Sequence, residues 1–293
     1  MAHPFQGTGV AMITPFKDDL SIDYHILETL VEDQIQSGTD YIVALGTTAE
    51  TPTLTVGEQQ QVVDCIKSTV NNRVPILLGM GGNSPAQLIQ RISATNFEGI
   101  NGILSVTPFY NKPSQQGLIE YFRQIAESCP VPVVLYNVPS RTGINMLAET
   151  SLAIANACPN VIAVKEASGE SSQVAKMVKY EPDHFRVISG DDVLTLPILA
   201  VGGIGVISVM ANALPVPVNR LVHLALNNQY AEAREWHLKL IDLFKLLFQE
   251  GNPSGVKALM EISGKASARL RSPLTPVSKG LYSKLEKQLK LIL

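Results

Sequence analysis

The chain has 293 residues, 45% hydrophobic and 17% charged, with a formal net charge of −3. That length suits one barrel-sized unit able to bury its apolar surface without a disulfide or metal staple. Scattered charges exclude a nucleic-acid stripe, and the longest apolar runs, such as Leu194 to Val201, fall short of the ~18 residues a membrane span needs; five dispersed histidines give no metal-ligand spacing.

Met1 to Gly7 has neither a basic start nor an apolar core, so no leader peptide is expected. The first strand is expected at Gly9–Thr14. Ile26, Leu27, Leu30, Val31 and Ile35 then stripe a helix that Gly38 ends. Tyr41–Leu45 is the second strand. Thr55 and Glu58 form a capping box that opens a helix with Val62, Val63, Ile66 and Val70 on one face. Pro75–Met80 leads to Ser84-Pro85, with proline at the first helical position. Further strands are expected at Gly102–Val106, Val131–Tyr136, Val161–Lys165, Arg186–Ser189 and Gly205–Met210.

Most of these eight runs are continuously apolar rather than alternating, as strands covered on both faces of a parallel sheet are. Strand-helix alternation of this kind predicts the α/β class, a (β/α)₈ TIM barrel. An open doubly wound sheet is the alternative; it would want Gly-x-Gly-x-x-Gly after the first strand, where Pro15-Phe16 stands. Gly202-Gly203-Ile204-Gly205 precedes a strand and reads as a tight turn, not a phosphate cradle. After residue 215 the pattern turns helical: Val218–Asn228, Ala231–Phe248, Ser254–Leu270 and Ser278–Leu291. The first completes the barrel. The expected division is a catalytic barrel over 1–224 and a C-terminal helical extension over 225–293, packed on it because no long linker intervenes. Cys65, Cys129 and Cys158 are odd in number and widely spaced, and read as buried thiols of a reducing, cytoplasmic compartment.

Reactive groups of such barrels sit where strands end. Lys165 closes the run Val161-Ile-Ala-Val164, so its stem emerges at the barrel mouth. Burial disfavours an ammonium, and a neutral lysine forms Schiff bases; the competing reading pairs Lys165 with Glu166 or an aspartate, or has it snorkel to the rim. Tyr136 ends the neighbouring strand and could shuttle a proton if Thr47 holds its hydroxyl, or could simply be a satisfied rim tyrosine. The Gly46-Thr47-Thr48 turn offers N–H and hydroxyl donors suited to a carboxylate, or an ordinary capped turn. Arg141, between Ser140 and Thr142-Gly143, could grip a carboxylate bidentately or be a surface arginine. Tyr110, in the proline-pinned Pro108-Phe109-Tyr110-Asn111-Lys112-Pro113, hints at a subunit contact.

Together Gly46-Thr47-Thr48-Ala49-Glu50, Thr107-Pro108-Phe109-Tyr110, Tyr136-Asn137-Val138-Pro139-Ser140-Arg141-Thr142-Gly143, Val164-Lys165-Glu166 and Ser189-Gly190-Asp191 resemble the pyruvate-dependent class I aldolase superfamily. Within it the chain is most similar to the dihydrodipicolinate synthase family, over nearly its whole length. The resemblance implies a lyase that condenses pyruvate with L-aspartate 4-semialdehyde, on the route to diaminopimelate and lysine, with no metal or organic cofactor. It implies Lys165 as the Schiff-base lysine, and Tyr136, Thr47 and Tyr110 as a proton relay with Tyr110 supplied by a neighbouring subunit. Thr47 and Thr48 would bind the pyruvate carboxylate and Arg141 that of the semialdehyde. Gly190 and Ile207 would line the site with backbone carbonyls. It further implies a homotetramer, a dimer of dimers.

Sialic-acid lyases and ketodeoxygluconate aldolases share the lysine and tyrosine but usually lack the arginine; a keto-acid sensor without turnover is the rival of another class. Two departures stand out. Ala49 replaces the usual glycine, which asks for a turn that tolerates a Cβ. Val56, Gln87 and Phe109 stand where lysine-inhibited members carry histidine, glutamate and tyrosine, so inhibition by L-lysine is expected to be weak or absent.

Overall fold

The continuous apolar runs become the staves of a closed parallel barrel in a computed structural model that describes residues 3–292. The strands are Gly7–Ala11 (β1), Tyr41–Ala44 (β2), Ile76–Gly79 (β3), Gly102–Val106 (β4), Val133–Asn137 (β5), Val161–Glu166 (β6), Arg186–Ser189 (β7) and Gly205–Ser208 (β8). Each pairs with the next and β1 pairs with β8, which leaves no edge. The helices outside the strands are Tyr24–Gln36 (α1), Val56–Val70 (α2), Pro85–Ala94 (α3), Gln115–Ser128 (α4), the short Pro139–Thr142 (α5), Ala148–Ala157 (α6), Ser171–Tyr180 (α7), Thr195–Val201 (α8) and Pro215–Leu226 (α9). Tyr230–Phe248 (α10), Ser254–Ile262 (α11) and Lys279–Leu289 (α12) form the C-terminal extension.

Strand alternation splits the apolar side chains into two cores. Phe5, Tyr41, Val43, Leu77, Leu104, Val134, Ala163, Ile188 and Ile207 fill the barrel interior, and their outward-facing neighbours pack under the helices. The Phe5 ring sits 5.3 Å from that of Tyr41. Helix starts follow the local signals. Thr55 Oγ1 accepts from Glu58 N at 3.2 Å while Glu58 Oε2 accepts from Thr55 N at 2.8 Å, and Ser84 caps α3 ahead of Pro85.

Several expected boundaries move, the strand ends because a side chain or a missing N–H interrupts the ladder and one helix end because of a glycine. The first strand lies at Gly7–Ala11, not Gly9–Thr14: Asn212 accepts from Ile13 N at 3.0 Å and donates to Ala11 O at 2.8 Å. The fifth starts after Pro132, which has no N–H to give. The eighth stops at Ser208 because the Asp192 carboxylate accepts from Val209 N and Met210 N at 3.0 and 3.1 Å. The helix expected over Ser254–Leu270 ends at Ile262, where Gly264 adopts φ +69° and Lys265 N bonds back to Met260 O. The chain beyond it returns to the barrel, where Arg271 N donates to Glu50 Oε2 and Pro273 and Leu274 join a cavity wall. Residues 1 and 2, the start of the segment read as lacking a leader, lie outside the described residues. No helix among the described residues is long and apolar enough to cross a membrane.

Candidate active site

The turn after β2 is built around two non-glycine residues in left-handed conformation, Leu45 (φ +53°) and Glu50 (φ +56°). Such residues are uncommon and cost about 1–3 kcal/mol each, so the surroundings must hold them. Between them Thr47–Ala49 forms one 3₁₀ turn, and the N–H groups of Thr47 and Thr48 meet no protein acceptor among the described residues. A turn start of this kind presents donors outward, the arrangement a carboxylate needs. Ala49 is buried in that turn without positive φ, which is why a Cβ is tolerated there. At Gly79 the reverse holds: a Cβ would fall 2.2 Å from Leu45 O.

The C-terminal extension braces this turn. Asn252 Nδ2 donates to Thr48 Oγ1 at 3.0 Å, and Arg271 N donates to Glu50 Oε2 at 3.0 Å. Lys257, fully buried on α11, pairs with Glu50 Oε1 at 2.5 Å and donates to Arg269 O at 2.8 Å. Burial pushes the Lys257 amine down to about 8, against the pull of Glu50.

On β5 and β6 the register sets Tyr136 opposite Lys165 and Asn137 opposite Glu166. Alternation turns the first pair into the barrel and the second away from it. Lys165 is 6% exposed, and its Nζ lies 4.3 Å from the centroid of the Tyr136 ring. It forms no ion pair among the described residues, so the reading of Lys165 as half of a pair with Glu166 does not hold. Glu166 is instead buried behind the strand. Burial raises its carboxyl above the usual range, while hydrogen bonds from Ser168, Asn137 and Gln173 oppose that. Gly190 follows β7 so closely that a Cβ would meet Ala167 Cβ at 2.8 Å and Lys165 Cγ at 3.1 Å. Ile207 is buried on the inner face of β8, in the same interior cluster as Tyr136.

A cavity of about 500 Å³ opens at this end of the barrel, walled by Thr47, Glu50, Tyr136, Arg141, Asn252 and Leu274 among others. Lys165 is not in the wall itself but lies against Tyr136, which is. Arg141 sits in α5, exposed, with Nη2 donating to Asn252 O at 3.2 Å and no carboxylate partner among the described residues. Thr47 and Tyr136 both line the cavity, but among the described residues no hydrogen bond joins their hydroxyls. Tyr110 lies outside the wall, 91% exposed at φ +70°, whereas Phe109 is part of it. A larger open groove between α10 and α12 holds Lys245, Lys284 and Lys287 but no buried reactive group. Among the described residues no group of three or more His, Cys, Asp or Glu gathers as a metal site would require.

Sequence reasoning missed Asn252, Lys257 and the outward role of Glu166. Asn252 and Thr48 are 204 residues apart, and nothing local announces their bond.

The family model described as the dihydrodipicolinate synthetase family matches residues 4–292. The 4-hydroxy-tetrahydrodipicolinate synthase of Parabacteroides distasonis is 49% identical over 285 residues, 97% of this chain and 96% of that protein. Among solved structures, dihydrodipicolinate synthase from Aquifex aeolicus superposes with a TM-score of 0.93 at 40% identity, covering 98% of this chain and 97% of that one. The 4-hydroxy-tetrahydrodipicolinate synthase from Methylacidiphilum fumariolicum SolV gives 0.95 at 40% identity, covering 98% and 96%.

Proposed function

The chain belongs to the dihydrodipicolinate synthetase family, and we propose that it is a lyase condensing pyruvate with L-aspartate 4-semialdehyde through a Schiff base on Lys165. One observation carries the reading: a buried lysine at a strand end, unpaired among the described residues and directly across from Tyr136. Nothing locks it into an ion pair, so it is available as a nucleophile.

Lys165 Nζ attacks C2 of pyruvate, and the carbinolamine loses water to give an iminium. The N–H groups of Thr47 and Thr48 hold the keto-acid carboxylate. Loss of a proton from C3 gives the enamine, with Tyr136, Thr47 and the partner's Tyr110 relaying protons. C3 then attacks the aldehyde carbon, whose oxygen takes up a proton and becomes the hydroxyl. The amine of the semialdehyde adds to C2 and expels Lys165 as its free amine. Two substrates thus give 4-hydroxy-tetrahydrodipicolinate and one water. The iminium is the electron sink, so no metal or organic cofactor takes part. Arg141 grips the semialdehyde carboxylate, and the backbone carbonyls of Gly190 and Ile207 line the reacting end.

Arg141, at the cavity wall and with no carboxylate partner among the described residues, favours this reaction over cleavage of a sugar acid. The exposure of Tyr110 supports its use by a second copy, in a homotetramer built as a dimer of dimers. Three unpaired cysteines support a reducing, cytoplasmic setting.

The test is borohydride reduction in the presence of pyruvate, followed by peptide mapping, beside a coupled assay with the semialdehyde. We expect one adduct, on Lys165, and turnover. An unlabelled but pyruvate-binding protein would point to a sensor; turnover with sugar acids alone would point to the other aldolases.

A further inference from the structure

Behind the reacting pair stands a second pair that this chemistry leaves unused. We propose that Glu166 is a positioning residue: clamped to Asn137 across the outer face of β5 and β6, it fixes Lys165 opposite Tyr136. The inference rests on the Schiff-base reading above.

Glu166 is 2% exposed, and among the described residues no cation pairs with it. Its carboxylate instead collects neutral donors. Asn137 Nδ2 lies 3.1 Å from each oxygen, Ser168 N 2.6 Å from Oε1 and Gln173 Nε2 3.0 Å from Oε2. Asn137 is itself held, its Oδ1 accepting from Met146 N at 2.9 Å and its Nδ2 donating to Asn145 Oδ1 at 2.7 Å. The backbone ties the same strand end on both sides. Ala167 N donates to Asn137 O at 2.9 Å, and Gly190 N to Glu166 O at 2.7 Å.

A buried carboxylate without a counter-cation is unfavourable, and a glutamine of the same shape would be easier to bury. Glutamine could not do the same work. Donors from three residues converge here, and only a carboxylate offers two oxygens that accept without donating. A glutamine amide would turn its own N–H toward that of Asn137 or Gln173. What the carboxylate secures is the end of β6, one residue from the lysine and on the opposite face. Because successive side chains alternate, any slip or twist at Glu166 moves Lys165 relative to Tyr136 and to the Thr47 turn.

The experiment compares wild type, Glu166→Gln, Asn137→Ser and Val174→Ala. The last makes a cavity on α7 at a buried apolar position outside this hydrogen-bond network, and serves as a stability control. Three quantities are read: Tm, steady-state kcat and KM, and the single-turnover rate of pyruvate trapping by borohydride. For Glu166→Gln we expect kcat and the trapping rate to fall together by about 10- to 100-fold, the loss that misplacing a reacting group brings, with KM within about threefold. Asn137→Ser, which removes the other half of the clamp, should give the same pattern should Glu166→Gln fail to fold. Val174→Ala should lower Tm yet keep kcat within about twofold. Trapping at the wild-type rate in both clamp variants overturns this inference and leaves the Schiff-base reading intact. So does activity that follows Tm alike in the clamp variants and in Val174→Ala. A wild-type protein that traps no pyruvate overturns both.

Discussion

In the proposed mechanism Lys165 and Arg141 have different tasks, and their surroundings differ to match. Lys165 is buried against Tyr136, while Arg141 is exposed on α5 and, among the described residues, its guanidinium makes one hydrogen bond, to a backbone carbonyl, which leaves donors for a ligand. Arg141→Ala should therefore spare pyruvate capture and impair use of the semialdehyde. A hydrogen bond to a charged group contributes about 1.5–3 kcal/mol, so kcat/KM for the semialdehyde should drop roughly 10- to 150-fold. Arg141→Lys keeps the charge without the planar fork and should recover only part of it. Borohydride trapping of pyruvate should stay within about twofold in both; an equal loss in trapping would move Arg141 to the keto-acid end. The same scale governs the effector. Val56 is 83% exposed at the start of α2, Gln87 is exposed on α3, and Phe109 lies beside the cavity. None of the three carries a carboxylate to meet an ammonium, and two carry no polar group at all. Activity should hold across a millimolar range of L-lysine. Half-maximal inhibition below ~0.5 mM, a ligand affinity of several kcal/mol, would contradict that.

At the scale of elements, the C-terminal extension is part of the catalytic end rather than an ornament of the barrel. Glu50 and Lys257 make a fully buried ion pair between the β2 turn and α11. The Lys257 amine also lies 4.1 Å from the centroid of the Phe16 ring. Removing one partner of a buried pair leaves an uncompensated charge and typically costs about 3–5 kcal/mol, whereas replacing both by groups of similar volume is often nearly neutral. Lys257→Met should thus lose that much stability in denaturant unfolding, and Glu50→Gln with Lys257→Met should recover more than half of it. A double variant whose loss equals the sum of the singles would show that the two side chains act independently. Because Glu50 closes the Thr47–Ala49 turn, the single variant should also raise the KM for pyruvate. This pair marks the limit of what the sequence discloses. The capping box at Thr55, the proline at α3 and the lysine at the end of β6 are legible because each signal is local, a matter of a few residues and one period. The Glu50–Lys257, Thr48–Asn252 and Arg271–Glu58 contacts join residues about 200 apart, and their partners are chosen only when the barrel closes. The same applies to strand ends. The apolar run after Ala11 looks like more strand until Asn212, distant in sequence but just past the end of the adjoining β8, takes its hydrogen bonds.

At the scale of the whole molecule, one chain holds the lysine and the tyrosine of the site but leaves Tyr110 pointing to solvent. An aromatic side chain 91% exposed, in a left-handed backbone conformation and flanked by Pro108 and Pro113, is a costly arrangement for a monomer to keep. In a two-fold dimer each copy lends the same surface to the other, so a Tyr110 crossing to the neighbouring cavity would serve both sites at once. The idea can be decided by complementation. Lys165→Ala removes the nucleophile and Tyr110→Phe removes the relay hydroxyl; each variant alone should be close to inactive. In a hybrid dimer, one site would combine the intact lysine of one copy with the intact tyrosine of the other, and the second site would carry both defects. Random exchange of equal amounts makes half the dimers hybrid with one working site in two, so co-refolded subunits should regain about 25% of wild-type activity. Were Tyr110 to act within its own subunit, every site in the mixture would lack one group or the other, and mixing would restore nothing.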